Sequence, residues 1–225
     1  MFVGFILAAN RPSSDRPADN VAADVVATTG TDVEADTPVS IEIINATTTN
    51  LIICMNHRIN SMSKQKNKNI LITGAATGMG RASALDAAKH GANLVLADIN
   101  EEGLNEVSSK LDPLNCNYKI MHMDVTSIDS TEKNIASAET WFDGGINALV
   151  HFAGALEGSV VDIDEISPET WHRIININLH GTYNVTRSVA KFMKSRNSGV
   201  ILLTSSGAGV NGPGSSAPYL SLIHI

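Results

Sequence analysis

Five short, evenly apolar runs punctuate the chain after residue 69: Ile70–Thr73, Asn93–Ala97, Lys119–Met123, Ala148–Phe152 and Val200–Thr204. Each is too short and too uniform for a surface helix, and each suits a parallel strand buried on both faces. Stretches of helical period lie between them. Gly80–His90 is Ala-rich and stopped by Gly91, Glu101–Leu111 lines up Leu104, Val107 and Leu111 on one face, and Ser130–Trp141 is amphipathic. A longer helix opens with Ser167 as N-cap and Pro168 at the first helical position. It carries Val185, Val189, Phe192 and Met193 along one stripe and ends near Asn197–Gly199. Strand and helix in alternation predict an α/β fold, a doubly wound parallel sheet in three layers.

Composition divides the chain in two. At 225 residues there is room for one α/β domain and an extension. Before Met62 stand three basic residues (Arg11, Arg16, Arg58) against seven acidic ones, with Ala, Thr, Asp and Asn dominant and only Phe2 and Phe5 aromatic. Such a segment buries little apolar surface, so residues 1–61 are expected to be a disordered or non-native extension, with Met55 and Met62 as alternative starts. Met1–Ala9 is apolar but has no positive flank, unlike a secretory signal. From Met62 on, 13 basic and 16 acidic residues accompany runs of Val, Ile, Leu and Ala, an ordinary globular composition expected to form the domain 62–219.

A net charge of −7 with scattered lysines gives no basic stripe for phosphates, which argues against a nucleic-acid partner. No stretch is long enough to span a bilayer. Cys54 and Cys116 make neither a disulfide framework nor a metal pattern and are read as inert thiols in a reducing, cytoplasmic setting. The seven histidines show no ligand spacing, so no metal site is expected.

Candidate chemistry begins where the first strand runs into Thr73-Gly74-Ala75-Ala76-Thr77-Gly78-Met79-Gly80. A glycine-rich turn between a strand and a helix suits a dinucleotide pyrophosphate. Gly74 turns the chain, Gly78 admits the anion, Gly80 packs closely, and the N–H groups around Thr77 and Met79 face the ligand. Asp98 ends the second strand 18 residues past Gly80. A carboxylate there accepts from both ribose hydroxyls of an adenosine and repels a 2′-phosphate, which favours NAD over NADP. No Arg or Lys stands beside Asp98 or within Gly74–Gly80 to offset that repulsion.

This Thr-Gly-x-x-x-Gly-x-Gly turn with Asp98 behind it resembles the short-chain dehydrogenase/reductase family. The resemblance implies a Rossmann-like sheet of strand order 3-2-1-4-5 whose final strands lie beyond this chain. It also implies contacts to the adenine from Asp124-Val125 and to the cofactor from Ala153-Gly154. The latter pair is what remains here of the family's Asn-Asn-Ala-Gly, and His151, in place of the first Asn, is read as a packed strand-end residue without a nearby partner. Asn178-Leu179-His180-Gly181 resembles the family's Asn-x-x-Gly, which gives Asn178 a place in a proton relay. Ser206 and Tyr219, 13 residues apart, match the family's catalytic serine and tyrosine. By resemblance, Ser206 hydrogen-bonds the substrate oxygen while Tyr219 exchanges a proton with it. The implied reaction joins a small secondary alcohol and its ketone, in a homodimer or homotetramer built partly on the Ser167–Asn197 helix.

One position departs from the pattern. The family places a lysine four residues after the tyrosine, and position 223 is Ile. A free phenol ionises near pH 10, so a phenolate base at neutral pH needs about 4 kcal/mol from positive charge nearby. Leu220-Ser221-Leu222-Ile223-His224-Ile225 is also what CTG TCT CTT ATA CAC ATC encodes, a transposon end used as a sequencing adapter. Residues 220–225 are therefore expected to be an adapter-derived tail. A chain stopping there is expected to leave the apolar strand Val200–Thr204 as a bare sheet edge and to be poorly soluble. The rival reading is a non-catalytic NAD-binding module in which Ile223 is genuine.

Overall fold

Alternate residues of each central strand enter opposite cores, which is why the runs read as continuously apolar. Ile70, Ile72, Leu94 and Leu96 pack on one face with Ala84, Ala87, Ala88, Leu104, Val107 and Leu111. Leu71, Val95, Ala97 and Leu149 pack on the other with Ile135, Ala138, Val185, Val189 and Met193. Two helical layers therefore sandwich one sheet.

The computed structural model describes residues 2–8, 42–46, 67–157, 161–206 and 216–223, with 2–8, 42–46 and 223 as backbone. The strands are β1 (Phe2–Ala8), β2 (Glu42–Ala46), β3 (Asn69–Thr73), β4 (Asn93–Asp98), β5 (Tyr118–His122), β6 (Ala148–His151) and β7 (Val200–Thr204). The helices are α1 (Gly78–Lys89), α2 (Glu101–Leu111), α3 (Ile128–Trp141), α4 (Pro168–Ile175), α5 (Thr182–Ser195) and α6 (Ala217–Ile223). Side chains start three of them: Asn100 accepts from Gly103 N, Ser127 from Ser130 N and Ser167 from Thr170 N.

The sheet order is β2-β1-β7-β6-β3-β4-β5. Its five parallel strands β7-β6-β3-β4-β5 are the order 3-2-1-4-5 read from the far edge. The chain leaves β3 toward β4 on one side and later returns to β6 on the other. A crevice therefore opens at the carboxyl ends of β3 and β6, where ligands of such sheets bind.

One expectation is corrected. The β7 edge is not bare: β1 runs antiparallel along it, from Gly4 opposite Thr204 to Ala8 opposite Val200, and β2 pairs with β1. Residues 2–8 and 42–46 are strands, and the rest of the segment 1–61, expected to be disordered or non-native, lies outside the described residues. A row of unpaired N–H and C=O groups accepts any backbone in reach, a property that composition does not report. The expected long helix runs unbroken from Pro168 to Ser195, with a π-helical turn at Asn176–Gly181 joining α4 to α5.

Candidate dinucleotide and catalytic site

The turn after β3 is built by close backbone contact. Gly74 has φ +68°, and a Cβ there would lie 2.5 Å from Ala153 N, two residues past the end of β6. A Cβ on Gly80 would come within 2.0 Å of Gly74 O, so α1 seats directly on the turn. Gly78 differs: its φ is +51°, and nothing lies within 4 Å of where its Cβ would be. Thr77 at the N-cap makes no side-chain cap, and the first turn of α1 holds no acid. Its N–H groups are left for an outside acceptor. Arg81, one residue on, folds back instead. Its Nε and Nη2 donate to Ala76 O at 2.9 and 2.7 Å, and it pairs with Glu106 at 3.2 Å.

Asp98 faces the same turn. Its Oδ2 accepts from Ala76 N and its Oδ1 from Asn100 N, each at 2.9 Å. A carboxylate oxygen has two acceptor positions, so each keeps one for a ligand. Asp124 Oδ1 accepts from Thr126 N at 2.8 Å and from Thr126 Oγ1 at 2.7 Å, which fixes the turn after β5. From the opposite side, the buried Asn184 donates to Val125 O at 3.0 Å.

A cleft of about 730 Å³ joins these parts. Gly74, Thr77, Gly78, Met79, Gly80, Asp98, Asp124, Val125, Ala153 and Gly154, the positions expected to meet the cofactor, all line it. So does a wall that the sequence reading missed: Glu169, His172, Arg173 and Asn176 of α4 and the π turn. Their spacing of three, one and three residues marks one helical face, a signal present in the sequence but without meaning until the cleft is known. Arg173 is ion-paired with Glu157, on the segment after Gly154.

Asn178 lies in the π turn. Its Nδ2 donates to Ala155 O at 2.8 Å and to Ile174 O at 3.0 Å, and its Oδ1 accepts from Ala155 N at 3.1 Å. It clamps the chain just past Gly154, where a Cβ would sit 2.8 Å from its Oδ1. Ser206 is buried two residues beyond β7, and Tyr219 is half-buried in α6, which packs on α4. Residues 207–215 between them lie outside the described residues. Asn178, Ser206 and Tyr219 are not on the walls of the cleft as described. Ile223 is the last residue of α6.

His151 does have partners, contrary to expectation. Its Nδ1 lies 2.7 Å from Thr73 Oγ1 and its Nε2 3.0 Å from Thr182 Oγ1. Burial pushes its pKa down to about 4, so the ring is neutral at physiological pH. Hydrophobic periodicity cannot show such a contact, because the two threonines stand 78 and 31 residues away. Burial also pushes the Cys116 thiol pKa up, which favours its protonated form. Cys54 lies outside the described residues. No helix among the described residues is long and apolar enough to cross a membrane.

Residues 68–221 match the short chain dehydrogenase family. The 3-oxoacyl-[acyl-carrier-protein] reductase of Thermotoga maritima is 32% identical over 142 residues, covering 63% of this chain and 56% of that protein. The solved structure of NAD+-bound xylitol dehydrogenase is 28% identical with a TM-score of 0.64, covering 70% of this chain and 60% of that one. Actinorhodin polyketide ketoreductase with NADPH is also 28% identical, with a TM-score of 0.63 over 71% of this chain and 61% of that one. The chain thus spans roughly three-fifths of the length of these relatives.

Proposed function

The chain belongs to the short-chain dehydrogenase/reductase family, a family of oxidoreductases that bind a nicotinamide cofactor, and from that premise we propose that it transfers hydride between NAD(H) and a secondary alcohol or its ketone. Asp98 carries the choice of cofactor. It offers a carboxylate with two spare acceptor positions to the cleft. The nearest cation along the turn, Arg81, is occupied by Ala76 O and Glu106. A 2′-phosphate beside Asp98 would meet like charge without relief.

The residues fit a dinucleotide: the open space over Gly78 and the uncapped start of α1 suit a pyrophosphate. Bound there, NAD supplies the hydride acceptor or donor. The chain's own groups do the rest. Asp124 and Val125 line the place for the adenine, and Ala153 and Gly154 the floor toward the reacting end. Ser206 is assigned the hydrogen bond to the substrate oxygen, Tyr219 the proton exchange with it, and Asn178 the relay that connects the tyrosine to solvent. Leu179 and Tyr183, 51% and 59% exposed, support a dimeric or tetrameric assembly on this helix.

A second reading, a non-catalytic NAD-binding module, is favoured by Ile223, which removes the positive charge a phenolate needs. Calorimetric titration with NAD+ and NADP+ on the parent and Asp98→Ala, beside a turnover assay with secondary alcohols, tests both. NAD+ is expected to bind at least about tenfold more tightly than NADP+, and Asp98→Ala to abolish that preference. Equal or tighter NADP+ binding by the parent refutes the cofactor assignment. Turnover by this chain refutes the module; tight NAD+ binding without turnover is expected under either reading while position 223 is Ile, and the gene decides, Lys at codon 223 selecting the enzyme and Ile the module.

A further inference from the structure

Residue 151 stands where three segments of the proposed site meet. Its imidazole touches Thr73, the last residue before Gly74, and Thr182, at the start of α5. Its main-chain oxygen accepts from Thr204 Oγ1 at 2.7 Å, two residues before Ser206. The side chain is buried, at 2% exposure, and the catalytic scheme above makes no use of it.

The directions of these hydrogen bonds follow from one contact. Thr182 Oγ1 lies 2.6 Å from Asn178 O, a carbonyl that can only accept. The single hydroxyl proton of Thr182 therefore goes to Asn178, and the hydroxyl presents lone pairs to His151. Nε2 must then be the donor, Nδ1 carries the lone pair, and the Thr73 hydroxyl donates to Nδ1. Every polar atom in the chain Thr73–His151–Thr182–Asn178 is satisfied in this arrangement and in no other with a neutral ring. Buried polar groups joined so completely hold one geometry, since breaking any link leaves an unpaired group away from water.

We propose that His151 is a positioning residue: through Thr73 and Thr182 its imidazole, with the proton on Nε2, ties the start of the nucleotide turn to the backbone of Asn178. The proposal rests on reading the cleft as the NAD site. Asn178 is then held twice, by its side chain on Ala155 and by its carbonyl on Thr182. Occupation of the turn by cofactor acts on both through one ring. Phe152 N bonded to Thr73 O at 3.0 Å runs beside this link and keeps the two strand ends in register.

Thr182→Val keeps the shape and removes the hydroxyl, Thr182→Ser restores it, and Thr73→Val cuts the other end. Long-range proton–nitrogen NMR of the parent is expected to show a neutral His151 protonated on Nε2; a proton on Nδ1 overturns the proposal. In NAD+ titrations of variants that still unfold cooperatively, Thr182→Val and Thr73→Val are each expected to weaken binding about fivefold, and Thr182→Ser less than about twofold. The double variant is expected to lose much less than the product of the single losses, because either change alone breaks the same link. If Thr182→Val binds as the parent does, or the two losses multiply, the link does not transmit and the proposal falls. A parent that does not bind NAD+ at all refutes the cleft assignment instead, a separate result, and the coupling to cofactor falls with it.

Discussion

Acidification should destabilise this protein through His151 before most of its carboxylates are protonated. The ring's ordinary pKa is 6.5, and burial holds it at about 4 in the folded chain, where its two side-chain partners are uncharged threonines. A folded-state pKa below the unfolded one means that the unfolded chain binds the proton more readily. The stability is fully present above about pH 6.5, falls as pH drops toward 4, and loses nothing further from this group below that. The difference corresponds to about 3 kcal/mol, a large part of the stability of an ordinary domain. Urea unfolding of the parent and His151→Gln from about pH 7 to about pH 4 isolates this contribution, since the acids common to both cancel. The stability of the parent relative to the variant is expected to shrink by about 3 kcal/mol over that window. A gap that stays constant would show that the ring titrates alike in both states, and the reasoning from burial would be wrong.

Gly80→Ala places a methyl 2.0 Å from Gly74 O, and backbone on both sides leaves no flexible side chain to yield. A loss of about 1–3 kcal/mol or more is expected in thermal unfolding, together with loss of NAD+ binding; a variant as stable as the parent would contradict the contact. Removal of residues 1–61 takes β1 off the β7 edge. Light scattering is expected to show the shortened chain aggregating at concentrations where the full chain keeps a single small assembly, and an unaggregated shortened chain of unchanged stability would show that the edge needs no cover.

The parallel sheet was legible because buried strands must be apolar on both faces and the helices between them on one. Ile70–Thr73 and Leu104, Val107 and Leu111 announce their places without any contact being known. The glycine-rich turn after β3 was legible for a related reason. Gly74 and Gly80 are demanded by close backbone contacts and Gly78 by its positive φ, while Asp98 is marked only by its place at the end of β4. Such constraints are local, so sequence order records them. Contacts across the fold are different. That Thr73, His151 and Thr182 share one hydrogen-bonded chain, that Asn178 clamps Ala155 from a π turn, and that β1 closes the β7 edge all depend on which segments the folded sheet brings side by side. A hydroxyl or an imidazole has no periodicity, and an open strand edge selects its partner by reach rather than by residue type. The sequence by itself therefore determined the layers and the glycine-rich turn, while only the tertiary structure decided what holds the helix of Asn178 to that turn, because hydrogen bonds between distant residues leave no pattern in the order of the chain.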